Sequence, residues 1–482
     1  MMMVLTDKSG MWGKITILTL LAGLVFYVAL VWNPLAGIVL FAPLLLLAYF
    51  FDTTRLWWIT IGLVPLSINT EIFTQGQLGL HLPTEPILAG FLILSIPYFL
   101  LNSIDKRYLN HPIIWLIILY LGWMLVTVIT SSNPAVSLKS FIVQIWFIIP
   151  ICFLSNTLFR QPQNRIKFIN IYTAGFTVVL MYTFFRLWSH GFPERESQWL
   201  MQPFFKDHTI LGAILGLIMP YFYLRCFDRT IHQSQRMMWI GLSFLATIVL
   251  IFTYSRAAIL SLGVAAGLYV LLRLKIPFKY LIMAGIMGAC FIWWNQDLLI
   301  EKLSSNQAES SGEVMENIES ISNISTDASN LERINRWNSA LAMWQEKPLI
   351  GWGPGTYQFE YAPFQKSADL TIISTNVGDV GNAHSEFLGA LAESGWPAMI
   401  LLIILVLTTI GIGYSTAIAI EGKDRLVLTA ALLGYTAYFT HGVLNNFLTS
   451  DKAAILIWGF TAIIIYYHLD FQRAKNQITY VK

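Results

Sequence analysis

The side chains that could act on a phosphorylated substrate here are three arginines and a histidine. Arg256, Arg333 and Arg336 carry planar, permanently charged forks that match phosphate oxygens. His384 is the imidazole to set beside them. Near a helix N-terminus and near cations its protonated form is disfavoured, and a neutral imidazole is what a general base needs. Arg256 and Arg333 as clamps and His384 as base describe a transferase whose leaving group is a diphosphate. Asp207, His208, Arg336 and Glu393 are second candidates for binding or orientation. Each residue also has a plainer reading. Arg256 in TYSRAAIL fits a snorkelling end-cap. Arg333 and Arg336 fit the solvated face of a helix, His384 a structural histidine, Asp207 an N-cap, and Glu393 a surface residue in a last helical turn.

The elements that hold these residues must lie in a membrane. Of the 482 residues, 56% are hydrophobic and only 12% charged, about half the charge of a soluble domain. A disordered chain, a collagen-like fibre and an ordinary cytosolic enzyme are excluded. The net charge of +3 is too small to suggest nucleic-acid binding. Cys152, Cys226 and Cys290 stand far apart with no CxxC pair or Cys/His cluster, so neither a disulfide framework nor a metal site is expected. Apolar runs near 14–32, 35–51, 55–69, 86–101, 112–130, 138–155, 166–188, 208–225, 237–254, 256–273, 278–294, 395–419, 426–444 and 453–469 predict an all-α polytopic membrane protein of about 12–14 spans. No cleavable signal is expected. With both termini inside, the inner loops and the termini together take most of the 30 Lys and Arg, as the positive-inside rule requires.

That orientation puts one long segment, 295–394, on the outer face, between an N-terminal bundle (1–294) and the C-terminal spans (395–482). Its first part, from Ser304, is polar and acidic and predicts a flexible or loosely helical arm. In LERINRWNSALAMW, Leu331, Ile334, Trp337, Leu341 and Trp344 form one apolar stripe of a helix, with Arg333 and Arg336 away from it. GWGPG at 351–355 is a tight turn. In GNAHSEFLGALAESG, Asn382 caps a second helix with His384 in its first turn. Arg256, Arg333 and His384 all fall on the outer face, which raises the chemical reading above the plain ones.

ERINRWNSALAMWQEKPLIGWGPGTYQF, followed by NAHSEFLGALAESGWPAMI, resembles the signature of the O-antigen ligase and O-antigen polymerase superfamily. There an Arg-containing helix leads into a Gly-Pro-Gly turn and then into a His-containing segment that enters a span. This sequence has Ser385 where the family commonly has Asn. It keeps the spacing from His384 to Gly395, and FTYSRAAILSL resembles the family's upstream Arg segment. The likeness is strong over about 205–260 and 330–400. It implies a GT-C type glycosyltransferase of the bacterial inner membrane, active on the periplasmic face. The implied donor is a glycan on undecaprenyl diphosphate, and no metal or cofactor is implied. His384 would deprotonate an acceptor hydroxyl that attacks with inversion, and Arg256 and Arg333 would bind the diphosphate. The acceptor of a ligase is lipid A-core, that of a polymerase another lipid-linked repeat, and that of a protein-glycosylating relative a side-chain hydroxyl. Ligase is the favoured reading. The rival from another class is a transporter of an anion or lipid-linked glycan. Such a protein would show internal repeats and broken helices at the midplane, whereas here the candidates crowd one face.

Overall fold

The computed structural model describes residues 53–70, 80–101, 104–154, 156–193, 196–294, 328–367, 370, 374 and 381–481. The expected spans at 14–32 and 35–51 lie outside them, as does the polar arm up to residue 327. Every other expected span is helical. Counting helices longer than two turns, α1 covers 53–63, α2 Thr84–Leu101, α3 Pro112–Ile129, α4 Pro134–Ile148, α5 Pro162–Ser189, α6 His208–Cys226 and α7 Gln233–Ile251. There follow α8 Arg256–Arg273, α9 Phe278–Trp294, α10 Ala328–Glu346, α11 Glu386–Ala419, α12 Gly422–His441 and α13 Asp451–Val481. One pair of two-residue antiparallel strands, Ile68–Asn69 with His81–Leu82, is the strand content among the described residues and was not foreseen.

Eight described helical segments are long and apolar enough to cross a membrane. The protein is an all-α polytopic membrane protein. Of the 12–14 spans expected, those at 14–32 and 35–51 lie outside the described residues. α2 is described over 18 mostly apolar residues, Thr84–Leu101, and α9 over 17, Phe278–Trp294. α12 is long enough at 20 residues but carries Thr429, Thr436, Thr440 and two tyrosines. It is buried on every face from Val427 to Phe439, so protein rather than lipid surrounds it.

Local chemistry sets the helix starts. Pro112 and Pro134 occupy the first helical position, where a missing N–H costs nothing, and the side chains of His111 and Asn133 cap the same turns. α6, α8 and α12 pack through small residues, the usual means of close approach in a membrane. A Cβ on Gly434 would lie 2.1 Å from the carbonyl oxygen of Leu217. Gly212 meets Ser255 and Gly216 meets Ser261, so α6 and α8 run parallel; Gly434 meets Leu217 and Gly216 meets Ala437, so α12 runs against them. Residues 207–212, 253–256 and 441 therefore gather at one end of the bundle. At the other end lie Arg225, Arg273, Lys423 and Arg425, and there Arg165 pairs with Asp470 at 2.5 Å. A small second core of Ala340, Met343, Tyr357, Tyr361, Ala383 and Ala392 joins α10 to the start of α11.

Candidate active site

α10 buries residues that its plain reading leaves to solvent. Its polar face is the buried one: Glu332, Asn335, Arg336 and Ser339 are 5%, 0%, 4% and 0% exposed, whereas Leu341 on the apolar stripe is 38% exposed. A helix at a membrane surface has protein on one side and lipid on the other, so an apolar stripe need not face the protein. The two arginines part company as a result. Arg336 donates from Nε to Glu332 Oε1 at 2.6 Å and stacks over the Tyr361 ring at 4.0 Å, while its backbone carbonyl accepts from the Tyr361 neighbour Tyr357 through the phenol. It is a fixed strut inside the small core, not the solvated residue expected. Arg333, three residues earlier, is only half-buried.

The Gly-rich turn is locked to α11. Trp352 N–H donates to the Ala392 carbonyl at 3.1 Å and Gly353 N–H to the Glu393 carbonyl at 2.7 Å. The Glu393 carboxylate accepts from Tyr357 N–H at 3.2 Å. Glu393 is thus the clasp of the 351–357 turn and not a surface residue. Gly395 interrupts α11 with φ 75°, and a Cβ there would lie 2.1 Å from the Leu349 carbonyl oxygen. The spacing from His384 to Gly395 is therefore that of one short helix, 386–394, held between two breaks.

His384 stands just before that helix, not in its first turn. Its φ is 47°, a left-handed conformation uncommon outside glycine. Ser385 is the cap, its hydroxyl accepting from Leu388 N–H at 3.3 Å, so serine does here what Asn does equally well. Asn382, the expected cap, instead accepts from His384 N–H at 2.9 Å and holds the bend. Trp337 of α10 donates to the His384 carbonyl at 3.2 Å. Burial first, then the cations of Arg333 and Arg336, push the His384 imidazole down to about 4, against the opposing pull of Asn445 and Glu332.

His384, Arg333 and Arg336 share one electrostatic neighbourhood. Arg333 also acts on His441, the last residue of α12, as does Asp207. Asp207 is the N-cap of α6: Oδ1 accepts from Thr209 N–H at 2.8 Å and Ile210 N–H at 3.1 Å. His208 Nδ1 bonds the Thr253 carbonyl, tying α6 to the turn before α8. Arg256 opens α8 at the same end of the bundle, though it is not among the charges that act most strongly on His384. Three residues here escaped the sequence reading. Glu386 accepts from the Tyr438 hydroxyl at 2.7 Å, Phe447 N–H at 2.7 Å and Leu448 N–H at 2.9 Å, pinning the 442–448 loop against α11. Asn445 and His441 belong to that loop and its helix. The one available signal was a polar Asn-Asn pair between two apolar helices.

The family model described as O-Antigen ligase matches residues 241–403. That stretch holds Arg256, Arg333, Arg336, His384 and Glu393, and leaves out Asp207, His208, His441 and Asn445. Among curated proteins none matches the chain.

Proposed function

We propose, for a chain that belongs through residues 241–403 to the O-antigen ligase and polymerase superfamily, a metal-independent glycosyl transfer from undecaprenyl diphosphate at the periplasmic face of the inner membrane. His384 is the general base. Its neutral imidazole takes the proton of the acceptor hydroxyl. The freed oxygen attacks the anomeric carbon from the side opposite the donor phosphate. The bond from that carbon to the diphosphate breaks, and its electron pair leaves on the phosphate oxygen, which inverts the anomeric centre. Arg333 and Arg256 hold the departing diphosphate, supplying as guanidiniums the charge that a metal ion supplies elsewhere. Arg336 and Glu393 orient α10 and the 351–357 turn and do not touch substrate. The acceptor is lipid A-core.

The observation that carries this reading is the placing of His384, held in a left-handed bend by Asn382 and by Trp337 of α10 beside Arg333 and Arg336, where burial and those two cations push its imidazole down to about 4. The orphan alternative, a transporter, has no use for a neutral base placed beside cations. The test is transfer by purified protein from an undecaprenyl-diphosphate glycan to lipid A-core. His384→Ala is expected to lower the rate by about 100-fold or more, the usual worth of a general base, with donor binding kept. Wild-type rates in that variant remove His384 from the mechanism. A ladder of longer lipid-linked glycans, made without lipid A-core, makes the enzyme a polymerase.

A further inference from the structure

The loop pinned by Glu386, next to His384, follows a second imidazole that no step above uses. His441 is 1% exposed, yet neither ring nitrogen has a hydrogen-bond partner among the described residues. The same holds for Asn445 Nδ2 and Asn446 Oδ1 close by, and Asn445 is itself only 3% exposed. Buried polar atoms are almost always paired, and a group that is not calls for an explanation. A neutral imidazole always presents one N–H donor and one acceptor, so the missing partner is a polar one.

The surroundings say what kind. Arg333 lies within electrostatic reach of both His441 and His384. Asp207 also acts on His441, but its Oδ1 is spent on the cap of α6. The parallel helices α6 and α8 both begin at this end, as does the short helix at 386, and their positive ends add to the arginine. Arg333 and the helix N-termini favour an anion, and the Asp207 carboxylate opposes one.

We propose that His441 is a donor-binding residue: its ring N–H bonds a phosphate oxygen of the lipid-linked diphosphate held by Arg333, with Asn445 and Asn446 lining the same pocket. Arg333 thereby stands between two imidazoles of different duty, His384 toward the acceptor and His441 toward the leaving group. This rests on the diphosphate-donor reading above and adds a binding residue beyond the stretch matched to the family.

The test uses purified full-length protein and undecaprenyl diphosphate itself as probe, with undecaprenol as the phosphate-free control. His441→Phe keeps the ring and loses both nitrogens; His441→Gln keeps a donor and an acceptor. His441→Phe is expected to weaken undecaprenyl diphosphate binding about tenfold or more, the worth of a hydrogen bond to a charged group, and to leave undecaprenol binding unchanged. His441→Gln is expected to recover part of the loss. The melting temperature of His441→Phe should equal or exceed that of the wild type, because no protein partner is left unpaired. Binding within twofold of wild type in His441→Phe overturns the proposal, and so does an equal loss in both variants accompanied by lower melting temperatures. If His384→Ala loses transfer while His441→Phe binds normally, only this proposal falls. If His384→Ala still transfers while His441→Phe loses binding, the base assignment falls and His441 stands.

Discussion

A histidine that must accept a proton is useful only in the pH range where it is empty. Free in solution its midpoint lies near 6.5; here burial and the Arg333 and Arg336 cations bring it to about 4. Protonation inactivates the base, so transfer should hold level from pH 8 down to about 5 and fail only as pH drops through about 4. Arg333→Gln removes one of the cations, so its acid limb should move up toward 6.5 even though its absolute rate is lower. A pH series of kcat/KM on the two proteins reads this directly, and an unmoved midpoint would mean that Arg333 does not set the imidazole's charge. Arg256, Arg333 and His384 were legible in the sequence because charge is costly in an apolar chain, about 2.5–3.5 kcal/mol for a central Arg. What separates Arg333 from Arg336 was legible too, though only as a spacing: Glu332 stands four residues before Arg336 and pairs with it. His441, Asn445 and Glu386 carried no such mark, since their roles arise from a loop folding back over α11.

Elements supply what the residues cannot. The stripe on α10 was legible as a periodicity, but the burial of the polar face beside it was not, because period 3.6 defines faces and says nothing about what meets each. The short helix 386–394 was legible as a fixed spacing, and the structure gives its cause. Gly395 ends it in a left-handed conformation, and the 348–352 turn packs where a side chain would go: Trp396 N–H donates to the Pro348 carbonyl at 3.0 Å. Gly351, at φ 63°, meets the same segment from the other side, its absent Cβ 2.4 Å from the Glu393 carbonyl carbon. Gly395→Ala should therefore cost about 2 kcal/mol or more and lower the melting temperature of the solubilised protein. It should also depress transfer strongly, because α10 and its arginine are positioned through that turn. Normal stability and normal transfer in Gly395→Ala would show that the turn does not position the site.

For the whole molecule the decisive matter is which side of the membrane each end faces. The helix directions put Asp207, Arg256 and His441 at one end and Arg225, Arg273, Lys423 and Arg425 at the other. The sequence could supply the charge bias but not the parallel course of α6 and α8, which rests on Gly212 meeting Ser255 and Gly216 meeting Ser261. Basic ends stay in the cytoplasm because anionic lipid and the membrane potential hold them there. On the proposed orientation the opposite end, with His384, opens outward, where a lipid-linked glycan would be used. Cysteine labelling decides it. In a protein with Cys152, Cys226 and Cys290 replaced by Ala, exposed Ser367 beyond the Gly-rich turn and exposed Ser234 at the start of α7 are each changed to Cys. A membrane-impermeant maleimide should label Ser367→Cys in spheroplasts whose inner membrane is intact, and Ser234→Cys only after that membrane is permeabilised. The reverse pattern would turn His384 toward the cytoplasm. A periplasmic donor could not then reach it, and the arginines would need another anion to bind.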